Sequence, residues 1–270
     1  MKKTIITLLA LAGMTSAADK IQIDFGRYDS QTADYYNIHT AKDFTTSFNA
    51  NYIDGATSNT STHSLTLDEI AIGVTYTHAT GTTNSSGHGL VPTLTTSEED
   101  GWKNAFTGEL PKGVSGSVYD GLTTQAAGNA GYHTLTFTGL TAGTYTLSVF
   151  GGYYGNDDMS NMSVSLGNGL VADWTISTYS DTWVTNPSVA GNSSITLSGD
   201  NTDNVNHGYY FVADSIEVGE DGTLSFTISG SDAWKRTPLN YVSLQMVPEP
   251  TTATLSLLAL AGLAARRRRK

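Results

Sequence analysis

The residues of this chain whose types and spacing suit chemistry fall in two loop-rich patches. Gly155-Asn156-Asp157-Asp158 and Asp200-Asn201-Thr202-Asp203-Asn204 each gather side-chain oxygens within a few positions. Hard cations take oxygen ligands of this kind, so Asp157, Asp158, Asp200 and Asp203 are candidate calcium ligands. The same residues also make ordinary turns, because Asn and Asp side chains hydrogen-bond their own backbone. Neither loop has the spacing of an EF-hand. Tyr153 and Tyr154 precede the first patch, and Trp174 and Trp183 lie between the two. Exposed aromatic rings stack on sugar faces while neighbouring polar groups take the hydroxyls. These four are therefore candidate sugar-binding residues, with burial in a core as the alternative for each tryptophan.

Other chemistry is absent or unselected. Six histidines (His39, His63, His78, His88, His133 and His207) show no ligand spacing such as HExxH. There is no Gly-x-Ser-x-Gly elbow and no phosphate-binding loop. Cysteine is missing altogether, which excludes disulfides, thiolate metal sites and cysteine nucleophiles. Acidic residues are plentiful, but no pair stands out as the two carboxylates of a glycosidase. No residue is assigned a catalytic role.

The elements that must position these residues are strands. Thr, Ser, Gly, Asn and Tyr dominate while only 14% of residues are charged, a balance of strand and turn formers. Period-two alternation marks Lys20–Gly26, Tyr35–Thr40, Thr46–Ile53 and a stretch from His63 to His78 that reads as two strands or one bent strand. It continues in Tyr132–Thr138, Thr144–Phe150, Met162–Leu166, Asp173–Thr178 and Ser194–Leu197. The last three segments are Tyr209–Val218, Thr223–Ser229 and Tyr241–Met246. Gly139-Leu140-Thr141-Ala142-Gly143 reads as the turn of a hairpin joining the strands on either side of it. One helical turn is expected at Ser97–Phe106, where Ser97 caps, Glu98, Glu99 and Asp100 suit the positive end, and Trp102 and Phe106 lie four apart. Many short strands without intervening helices predict an all-β antiparallel sandwich.

The two ends have a different character. Lys2 and Lys3, an apolar run from Thr4 to Met14 and the small residues Thr15-Ser16-Ala17-Ala18 make residues 1–18 a signal peptide cut by signal peptidase. Residues 248–270 begin with Pro248-Glu249-Pro250, continue through an apolar segment from Leu255 to Ala265, and end in Arg266, Arg267, Arg268, Arg269 and Lys270. Eleven residues of helix reach only about half of a hydrocarbon core, which suits transient insertion as a short transmembrane helix better than firm anchoring. The basic cluster would stay on the cytoplasmic side. Between the ends, residues 19–247 hold seven basic and twenty-four acidic residues, a net charge of −17. Such a surface argues against nucleic acid and anionic membrane as partners.

The tail resembles the PEP-CTERM sorting signal of Gram-negative bacteria, with its triplet, apolar helix and arginine-rich end in the right order. That resemblance implies recognition by an exosortase, a membrane-embedded cysteine protease, and cleavage near Pro248, Glu249 and Pro250. It also implies delivery to the cell surface or an exopolysaccharide matrix. The body pairs IDFG (Ile23–Gly26) with FTGLTAGTYTLSVFG (Phe137–Gly151), DSIEVGEDGTLSFTISG (Asp214–Gly230) and LNYVSLQMV (Leu239–Val247). In this order it resembles galactose-binding-like and malectin-like jelly rolls. The resemblance implies the fold and transfers no binding residue. Residues 54–115 read as an insertion into that plan.

These readings converge on an exported, non-catalytic jelly-roll sandwich that binds extracellular polysaccharide. Two rival classes stand beside it. One is an extracellular glycoside-active enzyme, which needs a cleft with paired carboxylates. The other is a structural, adhesin or ice-binding protein without a specific sugar ligand. Thr134, Thr136 and Thr138 share one strand face, as ice binding would require, but no sequence repeat stacks such strands into an array.

Overall fold

A computed structural model describes residues 20–26, 35–39, 60–67, 70–79, 90–92, 122–124, 130–153, 161–180, 182–197, 207–233 and 237–248. In chain order the strands are β1 (Lys20–Gly26), β2 (Tyr36–His39), β3 (Thr60–Leu67), β4 (Ile70–His78), β5 (Leu90–Pro92) and β6 (Leu122–Thr124). There follow β7 (Ala130–Thr138), β8 (Gly143–Tyr153), β9 (Met162–Leu166), β10 (Ala172–Ser180), β11 (Thr182–Thr185) and β12 (Val189–Asn192). The chain ends through β13 (Ser194–Thr196), β14 (His207–Val218), β15 (Leu224–Ala233), β16 (Thr237–Leu239) and β17 (Tyr241–Met246). The expected strand at 46–53, the helical turn at 97–106, the signal peptide and the tail beyond Pro248 lie outside the described residues. Among the described residues no helix is long and apolar enough to cross a membrane.

Two sheets face each other. One has the order β11-β10-β14-β8-β17-β1-β2, with β12 also on β10; the other runs β13-β9-β15-β7-β4-β3. A small third sheet, β16-β6-β5, stands beside them. Pairing is antiparallel throughout except between β1 and β2, which run parallel. Alternation decides which side chains meet in the middle. Ile21, Ile23 and Phe25 of β1 and Leu147 and Val149 of β8 point inward from one sheet. Val74 and Tyr76 of β4, Leu135 and Phe137 of β7 and Phe226 of β15 meet them from the other. Each such side chain contributes about 1.5–3 kcal/mol when fully buried. A one-residue slip would turn a whole strand's set outward, so register is fixed by burial.

Within residues 54–115, the described residues 60–67 and 70–78 are part of the sandwich itself. They form β3 and β4, which complete the second sheet and supply Ile72, Val74 and Tyr76 to the core. The hairpin expected between β7 and β8 is also corrected, because the two strands belong to different sheets. The connection is an arch over the end of the sandwich. Its second residue Leu140 is buried in the common core, whereas a hairpin loop would stand in solvent. Gly139 at φ 79° and Gly143 at φ 156° give the arch its left-handed backbone.

A second arch joins β14 to β15 at Gly222, also left-handed at φ 60°. The two arches lock together, since the Leu140 N–H donates to the Gly222 carbonyl at 3.0 Å. A methyl group on Gly222 would sit 2.4 Å from the Leu140 carbonyl oxygen, while one on Gly169 (φ 72°) would meet nothing. Gly222→Ala therefore combines backbone strain with a backbone clash, and Gly169→Ala brings strain alone. The expected losses are about 3 kcal/mol or more for the first and about 1 kcal/mol for the second. Urea unfolding of the two variants measures the difference.

Candidate functional site

The outer face of the larger sheet is built by the residues that alternate with the core set. Register places them in three rows across β14, β8, β17 and β1. The first is Tyr210, Phe150, Tyr241 and Asp24; the second is Val212, Ser148, Ser243 and Gln22. The third continues Thr146, Gln245 and Lys20. The first row is bulky and buried. The third carries long side chains, and the middle of the second is two serines. The short Ser148 and Ser243 thus leave a trough between taller neighbours. It encloses about 300 Å³ and is lined by Lys20, Thr146, Ser148, Tyr210, Val212, Ser243 and Gln245, the lower end of the size range of small-molecule sites.

Hydrogen bonds brace the trough and the residues around it. Gln22 Nε2 donates to the Tyr241 hydroxyl at 3.0 Å, and Thr146 Oγ1 donates to Asp214 Oδ1 at 2.7 Å. The Lys20 ammonium stands 5.8 Å from the centre of the Tyr241 ring, within cation–π range. Tyr241 also packs against Tyr35 with ring centres 5.7 Å apart. Burial raises the Tyr210 phenol above its usual range, a hydrogen bond with Ser148 partly offsets this, and Tyr241 and Asp214 add to it. Tyr210 is therefore a neutral hydroxyl. The trough offers hydroxyl, amide and ammonium groups over an aromatic end wall, and none of its lining residues is a carboxylate.

The residues singled out from the sequence fare differently. Trp174 is fully buried, and its indole Nε1 donates to the Asn192 carbonyl at 2.7 Å. It shares the inward parity of Ala172 and Ile176, so it is a core residue and cannot stack on a sugar. Trp183 lies on β11 opposite Tyr179, and Tyr153 ends β8 opposite His207; their side chains lie outside the described residues. So do Tyr154, Asp157, Asp158, Asp200, Asp203, Glu249, Pro250 and Arg266 to Arg269. Pro248 is described and exposed. Among the described residues no group of three His, Asp or Glu side chains could hold a metal ion. The trough residues were not foreseen. Their outward parity is visible in four strands read from the sequence, but the order β14-β8-β17-β1 that brings them together is not.

The smaller sheet has a different outer face. One register row runs Ser194, Ser165, Thr227, Thr134, Thr77 and Thr60 through all six strands. Hydroxyls bond across it, Thr134 to Thr227 at 2.8 Å and Thr60 to Thr77 at 3.1 Å. The next row adds Ser225, Thr136, Thr75 and Thr62. The array that no sequence repeat announces is thus assembled by strand pairing.

A buried polar cluster lies inside the sandwich. His133 Nε2–H donates to the Thr237 carbonyl at 2.7 Å, which fixes Nδ1 as an acceptor for the Tyr76 hydroxyl, also at 2.7 Å. The His78 ring Nδ1 bonds the Ala79 carbonyl at 3.0 Å. These bonds satisfy a neutral His133 and tie β16 to the sandwich. Burial depresses its pKa to about 3, partly offset by the bond to Thr237 and reinforced by His78.

Residues 247–270 match the PEP-CTERM protein-sorting motif. No curated protein matches the chain. Among solved structures, the TmCBM61 complex with β-1,4-galactotriose aligns at 9% identity and a TM-score of 0.27, over 64% of this chain and 88% of that one. A second, from a study of promiscuous specificity in carbohydrate-binding modules of the β-sandwich superfamily, aligns at 11% identity and a TM-score of 0.15. It covers 70% of this chain and 58% of its own.

The His133 cluster sets a pH dependence. Its folded pKa of about 3 lies below the unfolded value of about 6.5, so between these limits the unfolded chain binds the extra proton. Stability is then full above pH 6.5 and falls as pH drops towards 3, by at most about 1.4 kcal/mol per unit from this group. Urea midpoints at pH 7, 6, 5 and 4 should fall more steeply in the native chain than in His133→Gln, which removes one titrating group. Parallel slopes would exclude His133 as their source.

Proposed function

We propose that the chain is an exported, non-catalytic sandwich that binds polysaccharide, delivered to the cell surface or its matrix through exosortase processing of the tail. The sorting motif at residues 247–270 implies export and membrane-linked sorting. One observation supports sugar binding above others: the trough over β14, β8, β17 and β1, where hydroxyl, amide and ammonium groups converge beside a tyrosine wall. Sugars present hydroxyls on every edge and a weakly apolar face, and such a mixed lining suits them. Glycosidic cleavage would require two carboxylates flanking the bond, and the described lining provides none.

Affinity electrophoresis of the full chain through gels containing neutral or acidic polysaccharides tests this reading. Native chain should be retarded by at least one polymer. Gln245→Ala should weaken retention about fivefold, the loss of about one hydrogen bond, and Thr146→Trp should abolish it by filling the trough. Both should unfold close to the native temperature. Retention by none of the polymers would overturn the reading, and retention unchanged by both substitutions would remove the trough from it.

The hydroxyl rows favour a second reading, contact with an ordered water lattice. Strands lie about 4.8 Å apart and same-face residues about 6.7 Å apart along them, so the hydroxyls form a two-dimensional grid. Neighbouring strands are rotated by about 20° each, however, which accumulates to about 100° over six strands. Only two or three adjacent strands are flat enough together, so this reading stands second. Thermal hysteresis that disappears in Thr134→Tyr would raise it to first place, and its absence in the native chain would remove it.

A further inference from the structure

We infer that the sorting protease cuts this chain after the Pro-Glu-Pro triplet, at one of the four peptide bonds between Pro250 and Thr254, so that the triplet stays on the mature body. The inference rests on the processing reading above and gives the position of its cut. Two boundaries enclose the strip that a protease can take. On the body's side the limit is β17, where Gln245 and Met246 pair with Thr146 and Tyr145 of β8 and Lys20 of β1 faces Gln245 from the other flank. The Val247 N–H adds one more bond, to the Thr144 carbonyl at 2.8 Å. On the membrane side the limit is Leu255, where the apolar segment begins. A segment inside hydrocarbon must pair its own backbone as a helix, which withdraws its carbonyls from attack. Residues 248–254, PEPTTAT, lie between the two limits.

Within that strip the bonds are unequal. An extended segment is gripped through its main-chain hydrogen bonds, and the sheet already holds Gln245, Met246 and Val247. The Val247–Pro248 and Glu249–Pro250 bonds end in a proline nitrogen, which carries a ring carbon in place of hydrogen. It offers a protease no N–H and makes a crowded leaving group. The Pro248–Glu249 bond follows one residue beyond the ladder, about 3.5 Å of chain. That is too short to clear a sandwich whose sheets alone stand about 10 Å apart. At Pro250 the chain has three residues of reach, about 10 Å, and prolines favour an extended backbone there. The protease's thiolate then adds to the carbonyl carbon, the C–N bond breaks, and the tail's new amine takes a proton. Water opens the thioester and leaves a carboxylate at the end of the body.

Mass spectrometry of the full chain, matured in a Gram-negative cell that carries the sorting protease, reads the new C-terminus. The mature chain should end at Pro250, Thr251, Thr252 or Ala253. An end at Glu249 or earlier, or at Thr254 or later within the tail, would overturn the inference and leave processing standing. A chain still ending at Lys270 would remove the processing reading itself, as would the same new end in a cell whose protease lacks its cysteine. Two variants test whether reach decides the position. Deleting Thr251, Thr252 and Ala253 should lower the yield of mature chain at least about tenfold, because positioning controls the rate. Replacing the same three residues by Ser-Gly-Ser should leave the yield near native. Efficient cutting of the deletion variant would overturn the inference. Loss of cutting in both variants would mean that the side chains themselves are read, and would overturn the argument from reach.

Discussion

The rest of the structure depends on the bond between Leu140 and Gly222. Each residue sits at the crest of an arch, and each arch carries the chain from one sheet to the other. Because the arches lie against each other, the strands they join pair in sets, β7 with β15 in one sheet and β8 with β14 in the other. That pairing sets the order of the larger sheet at its centre, where β17 and then β1 add beside β8. The trough spans these four strands. A side chain on Gly222 would press on the Leu140 carbonyl, and a shift there would pass directly into the β8–β14 pairing. The arch contact is therefore upstream of the site although it lies in neither wall.

The two outer faces show how one alternation rule yields two surfaces of different relief. On the smaller sheet the outward positions are nearly uniform in size, mostly Ser and Thr, so the surface is level and its hydroxyls bond across strands. Cross-strand pairs of this kind are each worth about 0.2–1 kcal/mol to the sheet. On the larger sheet the outward positions differ sharply from row to row, with rings in one and serines in the next. Relief comes from that contrast in volume. The bulge in β14 between Ala213 and Ile216 adds to it, exposing Asp214 and Ser215 together and placing Ser215 at φ 60°. Bulges re-aim side chains at sheet positions of this kind, and here Asp214 is turned where Thr146 can hold it.

The sequence made strand identity legible and strand partnership much less so. Met162–Leu166 and Tyr241–Met246 have the bounds read from their alternation, and in the first of them one buried face alternates cleanly with an open one. The turn Gly139–Gly143 misled, since glycines mark a reversal whether the next strand returns in the same sheet or crosses to the other. Leu140 was the local clue: an apolar residue mid-turn needs somewhere to be buried. Trp174 was ambiguous for a similar reason, as an indole serves a core or a binding face equally well until its neighbours' parity is read. Ala172 and Ile176 decide it. The trough was hidden because its residues come from strands up to 225 positions apart, and no short-range pattern records their register.

The end of the sandwich also shows how the sorting motif and the trough share a strand without sharing residues. β17 lies inside the sheet, flanked by β8 and β1, so it cannot be lost without splitting the trough. Its ladder continues one residue past Met246, where the Val247 N–H donates to the Thr144 carbonyl at 2.8 Å. Pro248 has no N–H to extend it, and it is exposed. The proline that opens the sorting triplet is thus also the residue at which sheet hydrogen bonding must stop. A cut at the triplet leaves Gln245 opposite Lys20, whereas a cut three residues earlier would remove the strand end that holds them together. The Pro-Glu-Pro triplet directly follows Val247, so the ladder of the folded body ends where the triplet begins.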